Sequence, residues 1–259
     1  MRRRKSSAQT PAAAAFLALL LGAALAAPAL ADPIVIEPGL SLNPILFGSH
    51  QSFNDTTTIA PIPVPILEGR IKSGPFEIEA FGLPALVAVP HSDAIEGPTS
   101  TRLSIVDATA RVYDPLHRYS VGVGETLYNQ ETAYVNGVEI AGIGQTQSSR
   151  VVGGHYELGY HIGVGNGRLD AYAALAPEMR GAQITLYDDP LIHGRYNPEL
   201  ADQIDLNVRW ERQLSPHRSL FFGLRYINYT ARYGLPGSGL SDRNVGFLPA
   251  VGMHWQIGH

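Results

Sequence analysis

Alternation of apolar and polar residues at period two, recurring from residue 66 to the end of the chain, restricts the fold more than any other feature of this sequence. Residues 203–214 carry it most cleanly: Ile204, Leu206, Val208 and Trp210 fall on one side, and Gln203, Asp205, Asn207, Arg209 and Glu211 on the other. Successive side chains of an extended backbone point to opposite faces, so such a segment is a strand between two unlike media. Residues 219–233 repeat the pattern, with Leu220, Phe222, Leu224 and Tyr226 opposed to Gly223 and Arg225. Ser215, Pro216 and His217 supply the tight turn between the two.

Seven further segments read the same way. In 151–164, Val152, Tyr156, Leu158, Tyr160 and Ile162 oppose Gly153, His155, Glu157, Gly159 and His161, and Asn166-Gly167 is the expected turn that follows. In 169–180, Leu169, Ala171, Ala173, Leu175 and Met179 oppose Asp170, Tyr172, Ala174, Glu178 and Arg180, with a bulge expected at Pro177. Residues 106–112 and 118–129 pair about Asp114-Pro115, and 66–72 and 76–81 pair about Ser73-Gly74. The last segment, 245–257, sets Phe247, Pro249, Val251, Met253, Trp255 and Ile257 against Leu248, Ala250, Gly252, His254 and Gln256.

The start of the chain sets the expected compartment. Arg2, Arg3, Arg4 and Lys5 precede the apolar run 12–27, and Ala29-Leu30-Ala31 has the small-residue spacing of a signal-peptidase site. Residues 1–31 are therefore the expected signal peptide, cleaved before Asp32. Four of the nineteen basic residues leave with it, so fifteen remain against twenty-three acidic, a net charge of -8 that disfavours a nucleic-acid partner. Cysteine is absent, which excludes disulfide staples, thiolate metal sites and cysteine nucleophiles together. After residue 31 no stretch is long and apolar enough for a transmembrane helix, so insertion into a membrane has to use strands. Residues 32–65, rich in proline and threonine, read as an extended leader with room for one strand, and residues 66–259 as the barrel domain.

Connection lengths sharpen the reading. Short ones near 73, 115, 166 and 216 interleave with long ones at 84–100, 131–147, 187–200 and 234–243, the ordering of short periplasmic turns and long external loops. Tyr119, Tyr160, Trp210, Phe222 and Trp255 fall on apolar faces near the short turns, where rings favour the headgroup boundary. The expected fold is all-β, an antiparallel up-and-down transmembrane β-barrel of about ten strands, with the tenth between Ile45 and Ile59. It has eight if the first hairpin stands outside the wall.

The last strand resembles the C-terminal assembly signal of bacterial outer-membrane barrels. Phe247, Val251, Met253, Trp255 and Ile257 match its alternating apolar positions, although such chains usually end in an aromatic residue and this one ends in Gly258-His259. The resemblance is to an architecture, that of small OmpA-, OmpX- or OmpW-like barrels. It implies an outer-membrane location in a Gram-negative envelope, membrane lipid as surroundings, and the outer-membrane assembly machinery as a partner through that strand.

Twelve charged residues are expected to form an ion-pair network in the lumen: Arg70, Glu77, Glu79, Asp107, Arg111, Glu125, Glu157, Asp170, Asp205, Arg209, Glu211 and Arg225. Buried charges are tolerable only when paired, so their expected role is structural. Asp188, Asp189 and His193, in an expected external loop, put carboxylates near an imidazole, but Asp-Asp-Pro is also an ordinary turn. Neither an activated serine nor a metal motif such as H-E-x-x-H accompanies them. The leading expectation is a non-enzymatic outer-membrane barrel without cofactor or metal, acting in envelope structure or in surface interaction through its external loops. A narrow passive channel for small solutes, a loop-borne hydrolase and a soluble periplasmic lipocalin-like binding barrel fit the same residues. The solute or surface ligand is not specified by them.

Overall fold

The computed structural model describes residues 33–51, 54–88, 98–134, 145–177, 179–186, 194–196, 198–233 and 241–257. The expected signal peptide lies outside these residues. The strands are β1 (Val35–Gln51), β2 (Asn54–Ser73), β3 (Phe76–Ala88), β4 (Pro98–Tyr113), β5 (Tyr119–Tyr134), β6 (Gln145–Val164), β7 (Gly167–Ala176), β8 (Arg180–Leu186), β9 (Gly194–Tyr196), β10 (Pro198–Ser215), β11 (Arg218–Tyr233) and β12 (Ser241–Trp255). Every pairing is antiparallel; β7 joins β10, β12 returns to β1, and the β5–β6 pairing closes the ring. β8 lies beside the part of β6 that β7 leaves free, and β9 lies beside β8, so the closed wall has ten strands.

The register sets the girth of this cylinder. Followed across the ladder, Val35 leads through Lys72, Glu77, Arg111, Gly122, Glu157, Ala174, Asp205, Ile227 and Gly246 back to β1 at Phe47, twelve residues along. A stagger of that size in ten strands tilts them by about 40° and leaves an interior that side chains can fill.

The wall is greasy outside and polar inside along most strands. Leu206, Val208, Leu158, Val121, Ile78 and Leu42 are exposed outward, whereas Asp205, Arg209, Glu157, Arg111, Glu79 and Asn43 are buried. A wall of that polarity is suited to lipid, which solvates apolar side chains and leaves charge to the interior.

The tenth strand lies earlier than expected: β1 begins at Val35 and β2 at Asn54, so the wall takes in most of the stretch read as a leader. Pro38 and Pro44 disguise β1, because proline donates nothing to a ladder and is tolerated chiefly at edges and bulges. Pro44 sits at the register shift between Asn43 and Ile45. The turn after β6 is also one residue earlier than expected. Val164 pairs with Gly167, and Gly165, at φ 61, takes the left-handed position that the two-residue hairpin requires. At Pro177 the alternation changes phase, so that Met179, expected outward, is buried in the lumen where a Gly153 β-carbon would otherwise be.

At the β4–β5 turn, Asp114 accepts amide hydrogens from Tyr119 at 2.7 Å, Leu116 at 3.1 Å and Arg118 at 2.6 Å, while His117 adopts φ 50. Those bonds, that from Tyr119 foremost, hold its carboxyl below the usual carboxylate range. A carboxyl lowered on folding adds stability above its unfolded pKa, about 3.9, and that stability is lost as pH falls through the folded value. Amide-exchange protection of Leu116, Arg118 and Tyr119, corrected for intrinsic rates, is expected to hold from neutral pH to about 4 and to fall below it. Protection that persists through the acid range would show that the carboxylate does not hold the turn.

Candidate functional site in the barrel lumen

The lumen has two tiers. Toward the long-loop end Ile66, Leu83, Ile105, Met179, Ala201 and Ile227 turn inward and are buried, an apolar layer that the expected charge network did not include. Charged residues occupy the tier nearer the short turns. Around them lies a cavity of about 60 Å³, and beyond them a vestibule of about 410 Å³ reaches the short-turn end, lined in part by Glu37, Lys72, Tyr113, Arg168 and Arg218.

Arginines tie opposite walls together. Arg209 on β10 reaches Glu79 on β3 at 2.8 Å and Glu68 on β2 at 3.3 Å. Arg70 on β2 meets Glu211 on β10 and its neighbour Glu37, both at 2.8 Å. Arg225 on β11 bonds Asp205 through Nε at 2.7 Å and lies 3.6 Å from Asp107 on β4. Arg111 binds Glu77 at 2.9 Å, Glu157 through Nη2 at 3.0 Å, and also Glu79. Arg111 and Glu157 are separated by one strand, and the ladder position between them is Gly122. A β-carbon there would sit 3.2 Å from Arg111 Cγ, so glycine leaves the side chain its path.

Smaller polar groups complete the tier. Asp107 accepts from Thr126 at 2.6 Å and Thr109 at 3.3 Å, and both hydroxyls meet His155, at 3.2 and 3.0 Å. Aromatic faces cover the cations: Arg111 lies 4.2 Å from the Tyr172 centroid and Arg225 4.4 Å from that of Phe81. His254 stacks on Phe221 and contacts Glu211 at 3.1 Å.

Eleven of the twelve charged residues singled out in the sequence face this interior; Glu125 does not. It is exposed on the outer wall, with Ala108 and Gly154 as cross-strand neighbours. Its position in β5 has the parity of Tyr119, Val121 and Val123, so register overrides the expectation drawn from its charge. Asp188, Asp189 and His193 lie outside the described residues. Glu37 and Glu68 join the ion pairs although neither is among the twelve: Glu68 had been placed on the polar face of the first hairpin, and Glu37 was hidden in the supposed leader.

A second arrangement was also missed. His161 Nδ1 lies 2.7 Å from Asp170 Oδ1, and His161 Nε2 lies 2.9 Å from Ser120 Oγ. All three side chains are buried, and Arg168 Nε donates to Asp170 at 2.6 Å. His161 and Asp170 are direct partners across the β6–β7 hairpin, which counting outward from the Gly165-Asn166 turn would have revealed. Ser120 comes from a neighbouring hairpin, and no local signal in the sequence brings it there.

No family model and no curated protein matches this sequence. Among solved structures, the fold is similar to the outer membrane protease OmpT from Escherichia coli, with a TM-score of 0.57 at 10% identity over 86% of this chain and 97% of that one. It is also similar to the translocator domain of the autotransporter NalP from Neisseria meningitidis, with a TM-score of 0.47 at 11% identity over 95% and 96% of the two chains. For the outer membrane protein OprG from Pseudomonas aeruginosa the TM-score is 0.35 at 10% identity, over 88% and 97%. In architecture the chain is an outer-membrane β-barrel, with an outer wall built for immersion in lipid.

Proposed function

We propose that this protein is a closed barrel of the outer membrane, a structural element of the envelope that meets its surroundings through its long-loop hairpins and does not serve as a diffusion channel. The observation that carries the reading is the set of ion pairs spanning the lumen, Arg209 to Glu79 and Arg70 to Glu211 above all. A solute would have to break buried, mutually compensating charges and then cross an apolar layer that water does not wet readily. In this reading the charged tier is a brace.

The surface role rests on strand length. About 9 to 11 residues carry a strand across a bilayer, whereas β5 has 16 and β6 has 20. Their ladder continues to Tyr134 and Gln145, so its far end stands clear of the membrane and offers a surface to a partner.

Planar-bilayer recording tests the reading. The purified, folded barrel is expected to give no steady unitary steps in concentrated potassium chloride, and vesicles that contain it are expected not to swell in small sugars. Reproducible steps of uniform size would replace the closed barrel with the passive channel.

A further inference from the structure

We propose that Ser120 is a nucleophile which, with His161 and Asp170, forms an acyl-transfer site beneath the vestibule, acting on short-chain carboxylic esters that enter from the short-turn end. This goes beyond the structural role of the charged tier. The order of contacts is the one that the chemistry requires. Ionised Asp170 can only accept, so it keeps the His161 proton on Nδ1 and leaves Nε2 to accept from the Ser120 hydroxyl. The three groups stand on the barrel wall, where ladder pairing and the 2.8 Å bond from the His161 amide to the Arg118 carbonyl fix their spacing.

Tyr113 is an independent pointer to a ligand. It is the cross-strand neighbour of Ser120, its ring centroid lies 4.8 Å from that of His161, and it lines the vestibule. Only 8% of the residue is exposed, and apart from its contact with the Tyr172 side chain its hydroxyl has no hydrogen-bond partner. Buried donors are nearly always satisfied, and an oxyanion formed beside Ser120 would satisfy this one. At about 410 Å³ the vestibule has the size of a small-molecule site.

The reaction balances with water as the only co-reactant. Ser120 Oγ attacks the ester carbonyl carbon, its proton passes to His161 Nε2, and the carbonyl electron pair moves to the oxygen facing Tyr113. Collapse re-forms the carbonyl and breaks the bond to the alcohol, which leaves with the proton from His161. Water then attacks the acyl-serine by the same route, restoring Ser120 and releasing the acid. Ser120 is 3% exposed, so the wall around it has to open before an ester arrives, and turnover is expected to be slow.

The test is covalent labelling of the detergent-solubilised barrel with a small fluorophosphonate, folding being checked by the shift in gel migration on heating. The expected result is one adduct, located on Ser120 by peptide mass, absent in Ser120→Ala and formed about 100-fold more slowly in His161→Gln. p-Nitrophenyl acetate is expected to compete. A folded barrel that takes no adduct at Ser120 overturns the proposal, as does equal labelling in His161→Gln. If that variant does not fold, Asp170→Asn decides in its place: labelling at Ser120 must slow by a similar factor, and an unchanged rate overturns the site.

Discussion

A Leu206→Arg variant is expected to lose most of its assembled yield, while Asp205→Asn, one residue away, loses far less. Leu206 is 44% exposed on the outward face, midway between Trp210 near the short turns and Asp202 toward the long loops. An outward arginine at the bilayer midplane costs about 2–4 kcal/mol, roughly a 30- to 700-fold shift against the folded barrel. Asp205 faces the lumen and accepts from Arg225; asparagine keeps an acceptor there, and Arg225 retains Asp107 at 3.6 Å. The measurement is the fraction migrating as folded barrel without heating, compared at equal expression. Equal or reversed yields would mean that the two faces of β10 have been exchanged.

The second large effect is expected at Arg209. Replacing it with methionine leaves Glu68 and Glu79, both facing the packed lumen, without the cation that joins them. Removing one partner of a buried pair costs about 3–5 kcal/mol, because the remaining charge stays out of water uncompensated. Glu79 keeps Arg111, so the heavier loss falls on Glu68. Adding Glu68→Gln to Arg209→Met is accordingly expected to recover a large part of the stability, since neutral groups of similar volume often replace buried pairs at little cost. Urea unfolding of the three proteins in lipid vesicles gives the comparison. A single substitution that costs less than about 1 kcal/mol would show that water reaches the pair and screens it.

Much of the wall could be read from the chain because lipid and lumen impose opposite demands on successive residues. Residues 203–214 show it best: each side chain assigned there to a face is found on that face, in a strand that runs to Ser215. Reading failed where the two-residue rhythm was interrupted. Pro38 and Pro44 masked β1, and Pro177 reversed the phase so that Met179 packs inside. Glu125 shows the opposite error, in which the chemistry of a side chain was weighed above its place in the rhythm. The interior apolar layer was invisible for a different reason: inward Ile66, Leu83 and Ile105 belong to strands whose other inward residues are mostly polar, Phe81 excepted. Partners across the lumen, such as Arg209 and Glu79, depend on closure and stagger of the whole cylinder. The His161–Asp170 pair needed the turn at Gly165-Asn166, since a count from the expected Asn166-Gly167 turn sets His161 against Tyr172 instead.

The two tiers make the molecule a cup, with its open mouth at the end where the short turns lie. In the closed barrel proposed above, protons, salt and small molecules reach Tyr113, Arg168 and Lys72 from that side, while the oily layer of Ile66, Leu83 and Ile105 shields them from whatever bathes the loops. A change of acidity or ionic strength beyond the loops is therefore felt first by the hairpins, and the charged interior takes its conditions from the opposite compartment.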